Sequence, residues 1–402
     1  MSALFPFHAL RPAPETAARV ASVPYDVVST AEARQLAAGN PLSFLHATRP
    51  EIDLPPEIDP HDDRVYAQGV QNFEELKRAA PLVLEPEPSL YVYRLRMGAH
   101  TQIGLAGCFS LDEYDRDLIK KHERTRKDKE DDRTRHMIEL RAQTGVVFLT
   151  YRASAVVDAL VSAATKAPPL YDVSAADGVV HTLWRVDPAR VPAFVDAFAQ
   201  LSALYIADGH HRAASAARAR ASLGASAREA SRFVAVAFPD AQVQILPYNR
   251  VVRDLAGMTP QSFLDALRAR MRITDDAPTP SAPGHAGMYL NGRWHTIVLP
   301  AVPSGTSRAD ALDVAVLERE VLGAVLGIGD IRTDKRIDFV GGARGTAELE
   351  RRVNSGDAAV AFSLHPVGVD DLMAISDAGG IMPPKSTWFE PKLRDGLLVH
   401  LI

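Results

Sequence analysis

Residues 208–212 read Asp-Gly-His-His-Arg, gathering a carboxylate, two imidazoles and a guanidinium within five positions. The apolar run at 204–207 reads as a short buried strand, and 213–220 reads as a helix. The polar set therefore falls at a strand-to-helix turn. A helix N-terminus leaves backbone N–H groups unsatisfied and carries the positive end of the helix dipole, so it attracts anions. Gly209 permits the tight turn or a close backbone approach. Phosphoryl transfer needs cations and N–H donors around the phosphates, usually a metal, and a base for the accepting hydroxyl. Here His210, His211 and Arg212 are candidate phosphate ligands, while Asp208 could hold a metal or orient an imidazole.

A base must come from elsewhere in the chain. Residues 115–141 form its most charged stretch, containing Lys120-Lys-His-Glu-Arg-Thr125 and Lys129-Glu-Asp-Asp-Arg133. Such a run usually makes a solvated helix laced with i,i+4 pairs. Its composition also supplies Glu123 as a base, His122 and Thr125 as polar contacts, and Lys129 and Arg133 as phosphate-binding cations. Near the N-terminus, Val23-Pro-Tyr-Asp-Val-Val28 sets Tyr25 and Asp26 beside a proline, and Asp26 is a second candidate base. The plain reading of that stretch is a turn capping a helix at 30–38. Arg250 and the Lys385-Ser-Thr387 loop offer further anion contacts or, equally, packing and turn roles.

Several classes are set aside. No Walker A or kinase glycine-rich loop occurs, and Gly341-Gly342 and Gly379-Gly380 are too sparse to serve. No Gly-x-Ser-x-Gly elbow occurs either. The one cysteine, Cys108, sits in a predicted strand and cannot build a disulfide framework or a cysteine cage. Adjacent His210 and His211 point in different directions, and no third zinc ligand stands at a defined spacing, which weakens a metal hydrolase. A net charge of −5 argues against general nucleic-acid binding. No apolar run suits a membrane span and no signal peptide is evident, so a cytoplasmic location is expected.

The elements that must position these groups are legible as patterns. A hairpin is predicted at 91–97 and 103–111 around Gly98-Ala-His100, with strands at 146–151, 181–186 and 233–238. Helices are predicted at 65–78, 191–201, 261–271, 309–321 and 346–354, and 166–180 reads as a connection rich in Pro, Ala and Asp. At 402 residues the chain is long for one core. Three parts are expected: a lobe at 1–165, a core at 166–256 and a C-terminal lobe at 257–402 ending in the Met382-Pro-Pro-Lys-Ser-Thr387 loop.

The segment Tyr205-Ile-Ala-Asp-Gly-His-His-Arg212 resembles the central box of the ParB/sulfiredoxin-like superfamily, whose turn binds nucleotide phosphates. Nearly end to end, the chain resembles the family called domain of unknown function 1015. The matching pieces are Pro24-Tyr-Asp-Val-Val28, His122-Glu-x-Thr125, Lys129, Asp132-Arg133, His181-x-x-Trp184, Pro247-x-x-Arg250, Met382-Pro-Pro-Lys-Ser-Thr387 and Pro391-Lys-Leu393. Three departures from the family pattern stand out: Val23 before Pro24, Gln143-Thr-Gly before the strand at Val146, and Asn249 before Arg250. The resemblance implies an α+β fold of mixed sheets, with a ParB/sulfiredoxin-like nucleotide-binding core elaborated by further α/β lobes.

Free-serine kinases carry the same Asp-Gly-His-His-Arg string, so the resemblance implies phosphoryl transfer from ATP or ADP to a small hydroxyl substrate, foremost free L-serine. On that basis the expected catalytic residues are Glu123, Asp208 and His211. Gly209, His210, Arg212, Lys129, Arg133, Lys385, Ser386 and Thr387 would hold the nucleotide. Tyr25, Asp26, His122 and Arg250 would meet the substrate, and Asp208 would take Mg²⁺. Glu123 enters by its chemistry rather than by a matched motif. A nucleotide-binding regulator or clamp of ParB-like type and a metal-dependent phosphohydrolase are the alternatives, and a homodimer is left open.

Overall fold

A computed structural model describes residues 3–274 and 277–402. Its contacts group into two units, one formed by residues 1–243 together with 391–402, the other by 244–390. The boundary expected near residue 165 falls inside a single sheet, because strands on both sides of it pair.

That sheet has nine strands. Its path runs Ile119–Lys120, Leu204–Asp208, Val147–Tyr151, Arg232–Pro239, His100–Ser110, Tyr91–Met97, Val180–Arg185 and Tyr171–Ser174, with Leu4–Phe5 paired to His100–Ser110 off the path. Pairing is mixed: Arg232–Pro239 runs parallel to Val147–Tyr151 but antiparallel to His100–Ser110. The central strand Arg232–Pro239 is buried from Phe233 onward, as a strand covered on both faces must be, and its Val and Ala residues suit that place. Gly98 has φ +59, which allows the tight hairpin turn.

Helices His210–Leu223 and Lys127–Leu140 pack on one another beside this sheet. Ala213, Ala214, Ala216 and Ala219 line the buried face of the first, and such small side chains permit close approach. The charged segment at 115–141 is thus a short strand and a later helix, and that helix buries Thr134, His136, Met137 and Leu140. It is not a solvated rod. The connection at 166–180 also contains structure: Tyr171 and Val173 face inward on an edge strand while Asp172 and Ser174 face out.

A second sheet of the same unit has four strands, ordered Leu82–Leu84, Ala9–Pro12, Val399–Leu401 and Ala142–Gln143. The strand Val399–Leu401 therefore lies between two N-terminal partners and draws residues 391–402 back into the first unit.

The second unit holds a six-stranded antiparallel sheet ordered Arg272–Thr274, Arg293–Val298, His285–Leu290, Val360–Leu364, Tyr248–Val252 and Ile337–Gly341. The helix expected at 309–321 is shorter: α-helix Asp313–Leu317 passes into a π-helical turn over Glu318–Gly323. No helix among the described residues is long and apolar enough to cross a membrane.

Candidate active site

The strand Leu204–Asp208 ends at a register shift between Ile206 and Asp208, and Gly209 then takes φ +95 as the helix cap. The helix begins at His210, so His210, His211 and Arg212 form its first turn. The backbone at φ +95 requires glycine, and a Cβ there would also lie tightly at 3.3 Å from Arg212 Nη1 and 3.4 Å from Val147 Cα.

Arg212 is buried at 4% exposure and is committed to protein partners. Its Nη2 lies 2.8 Å from both carboxylate oxygens of Asp26, and its Nη1 donates to the Val146 carbonyl at 2.7 Å. Burial opposes its charge, but Asp26, Asp208 and Asp395 outweigh that cost and hold the guanidinium more firmly protonated than usual. Arg212, expected as a phosphate ligand, ties Asp26 to the turn through Nη2, while its buried Nε has no hydrogen-bond partner. Arg133 is spent similarly. It bonds Asp132 at 2.7 Å and the Thr48 carbonyl at 3.1 Å, and lies 4.4 Å from the Tyr25 ring centre. Arg212 approaches the same ring at 5.8 Å, so Tyr25 lies against two guanidinium groups.

Residues far along the chain complete the turn. Lys392 Nζ stands 3.6 Å from Asp208 Oδ2, which is also 3.6 Å from Arg212 Nη2. Burial alone would raise the Asp208 carboxyl, yet the Lys392 and Arg212 charges outweigh it and leave it at about 2. Asp395 lies buried at 1% exposure, and its Oδ2 has no hydrogen-bond partner. Desolvation, reinforced by Asp26 and resisted by Arg212, pushes its carboxyl up to about 7.

The upstream charged segment meets the turn. Glu123 Oε2 lies 3.9 Å from His210 Nδ1 and is 46% exposed. His122 donates its backbone N–H to His210 Nε2 at 3.3 Å, and Arg126 donates its own to His211 Nε2 at 3.0 Å. The His122 and His210 rings meet edge to face with centres 4.3 Å apart. Desolvation pulls the His122 imidazole down to about 4 and His210 well below its ordinary range, so both are neutral at pH 7. At 1% exposure His122 is a buried neighbour of the turn, not an open substrate contact. Lys129 is exposed in the first turn of Lys127–Leu140.

The metal position fits poorly at Asp208, whose carboxylate already faces two cations. The described group with metal-like spacing is His122, Glu123 and His210, whose donor atoms lie within 4.8 Å of one another.

Four expected site residues belong to the second unit. Arg250 is fully buried there and donates to the Tyr248 carbonyl and, at 3.4 Å, to that of Pro384. It therefore clamps the Met382–Thr387 loop. In that loop Lys385 has φ +56 and places Nζ 5.6 Å from the Tyr248 ring centre, Ser386 is buried, and Thr387 is half-buried.

Sequence reasoning missed two members of the site, Lys392 and Asp395. Lys392 stood within the matched Pro391-Lys-Leu393 piece; no local pattern marked Asp395.

No curated protein matches the sequence. Among solved structures, SbnI with a C-terminal truncation from Staphylococcus aureus is similar over 74% of this chain and 87% of its own, at 13% identity and TM-score 0.41. A conserved hypothetical protein from Pyrococcus furiosus is similar at 14% identity over 74% of this chain and 95% of its own, with TM-score 0.37. A free serine kinase variant in complex with AMP is similar at 13% identity over 73% of this chain and 92% of its own, again with TM-score 0.37. The family model described as protein of unknown function, DUF1015, matches residues 4–315 of the 402, and the chain belongs to that family.

Proposed function

We propose that the first unit is a small-molecule kinase whose Asp208–Arg212 turn binds nucleotide phosphates and whose Glu123 takes the proton of an acceptor hydroxyl. The observation that carries this reading is the pairing of a glycine-led helix N-terminus with a carboxylate 3.9 Å from the first imidazole of that helix. The N–H groups of the first helical turn would face the phosphate oxygens. Lys392, at 11% exposure beside Asp208, would supply the cation that buried Arg212 cannot offer. Glu123, nearly half exposed, retains access to a substrate hydroxyl. Lys129 adds positive charge at a second helix start. Mg²⁺ would arrive with the nucleotide rather than through Asp208.

Free L-serine is the first acceptor to test, because free-serine kinases share the Asp-Gly-His-His-Arg string. The decisive experiment incubates the purified chain with ATP or ADP, Mg²⁺ and L-serine and looks for O-phosphoserine by mass spectrometry. Its absence with every nucleotide would remove serine as the substrate. Nucleotide binding without any acceptor would instead support the regulator reading, and phosphate release to water the hydrolase reading.

A further inference from the structure

The two backbone bonds that reach the histidines settle a chemical question. A ring nitrogen that accepts a hydrogen bond keeps its lone pair, so the proton of a neutral imidazole resides on the other nitrogen. His210 accepts from the His122 N–H through Nε2, and His211 accepts from the Arg126 N–H through Nε2. Both rings are therefore Nδ1–H tautomers while neutral. For His210 that proton faces Glu123, whose Oε2 lies 3.9 Å from Nδ1.

We propose that His210 is a positioning residue, locked as the Nδ1–H tautomer by the His122 backbone so that its one donor aims the Glu123 carboxylate across the helix start. This extends the kinase reading, since it assumes that Glu123 is the base. The 3.9 Å separation is longer than a hydrogen bond, and the role requires it to shorten in the substrate complex, as catalytic contacts often do.

A metal cage is the rival use of the same atoms, because His122, Glu123 and His210 bring donors within 4.8 Å. Coordination through His210 Nδ1 would move its proton to Nε2, where it would meet the His122 N–H head on. Coordination through Nε2 would displace that same N–H. Although His122 Nδ1 is buried, either route at His210 breaks the hydrogen bond from the His122 backbone N–H, which favours the acid–base use of the pair over a metal.

Nitrogen-15 NMR of the full chain labelled at histidine, without ligand, tests the tautomer; loss of a signal in H210N assigns it. Protonated Nδ1 and bare Nε2 at His210 support the proposal, whereas protonated Nε2 overturns it. Zinc titration by calorimetry forms the second arm. One zinc bound per chain and lost in H210A would establish a metal cage and overturn the proposal; no such site supports it. In the transfer assay, asparagine places an amide donor near the Nδ1 position and glutamine places it near Nε2. H210N should lose about tenfold in kcat and H210Q at least a hundredfold, the lower end of general-base contributions; equal losses overturn the positioning role. If the chain transfers no phosphoryl group at all, the kinase reading fails while the NMR and zinc arms still decide the tautomer.

Discussion

Arg212 Nη2 stands 2.8 Å from both carboxylate oxygens of Asp26, a residue 186 positions away in the chain. The pair fastens the N-terminal Pro-Tyr-Asp segment to the helix that carries the two histidines. Removing one partner leaves a buried guanidinium short of its main counter-charge. D26A should therefore lose about 1.5–3 kcal/mol of stability, the range for hydrogen bonds to charged groups. Urea unfolding measures this, and an unchanged midpoint would mean that Asp208 and the Val146 carbonyl satisfy Arg212 alone.

Asp395 gives the opposite pH dependence from most carboxylates. Burial, with help from Asp26, holds its proton up to about pH 7 against the pull of Arg212. Between about pH 4, where an unfolded chain releases this proton, and pH 7 the folded state therefore binds a proton that the unfolded state lacks. Its stabilising contribution is complete below the unfolded value and is lost as pH rises through 7. D395N mimics the protonated form. Relative to D395N, the wild-type chain should lose on the order of 3 kcal/mol between pH 5 and pH 8. Parallel stability curves for the two proteins would show that Asp395 is ionised throughout.

Asp208 behaves conventionally. Burial raises its carboxyl, but Lys392 and Arg212 prevail and bring it to about 2. Its contribution is present above the unfolded value and disappears as pH falls toward 2. K392M removes the larger opposing charge, so acid unfolding followed by circular dichroism should begin at higher pH than in wild type. If Lys392 also meets phosphate, K392M weakens ADP binding at least tenfold by calorimetry. Wild-type affinity would exclude Lys392 from the phosphate site.

At Gly209 the backbone itself is the constraint. G209A places a side chain at φ +95 against Arg212 and Val147. It should cost about 1–2 kcal/mol per the left-handed penalty and loosen the turn. Thermal unfolding and ADP affinity should fall together; a loss in stability with intact affinity would separate the turn from the ligand site.

The Asp-Gly-His-His-Arg turn was legible because its two flanks have different periods, a buried apolar run and then a small-residue helix. The hairpin at residues 91–110 was legible from its alternation and Gly98. Other parts depended on distance along the chain. Arg212 and Arg133 look like open phosphate ligands in one dimension, and only folding brings Asp26 and Tyr25 over them. Lys392 reaches Asp208 because Val399–Leu401 inserts between Ala9–Pro12 and Ala142–Gln143, a pairing that no local pattern announces. The strand Tyr171–Ser174 alternates over just four residues, too few to stand out from a polar connection. The π-helical turn at Glu318–Gly323 reads as plain helix, since Glu318, Arg319, Glu320 and Leu322 are good helix formers.

The insertion of Val399–Leu401 into the N-terminal sheet also dictates an order of events during synthesis. Asp208 and its helix leave the ribosome long before Lys392, with all of residues 244–390 made in between. Until that stretch has emerged, Ala9–Pro12 and Ala142–Gln143 have no strand between them and Asp208 lacks its lysine. The nascent first unit therefore carries an open sheet edge and an Asp208 carboxylate without its Lys392 partner. Folding of the second unit brings its two ends, Gln244–Leu246 and Trp388–Glu390, together as antiparallel strands.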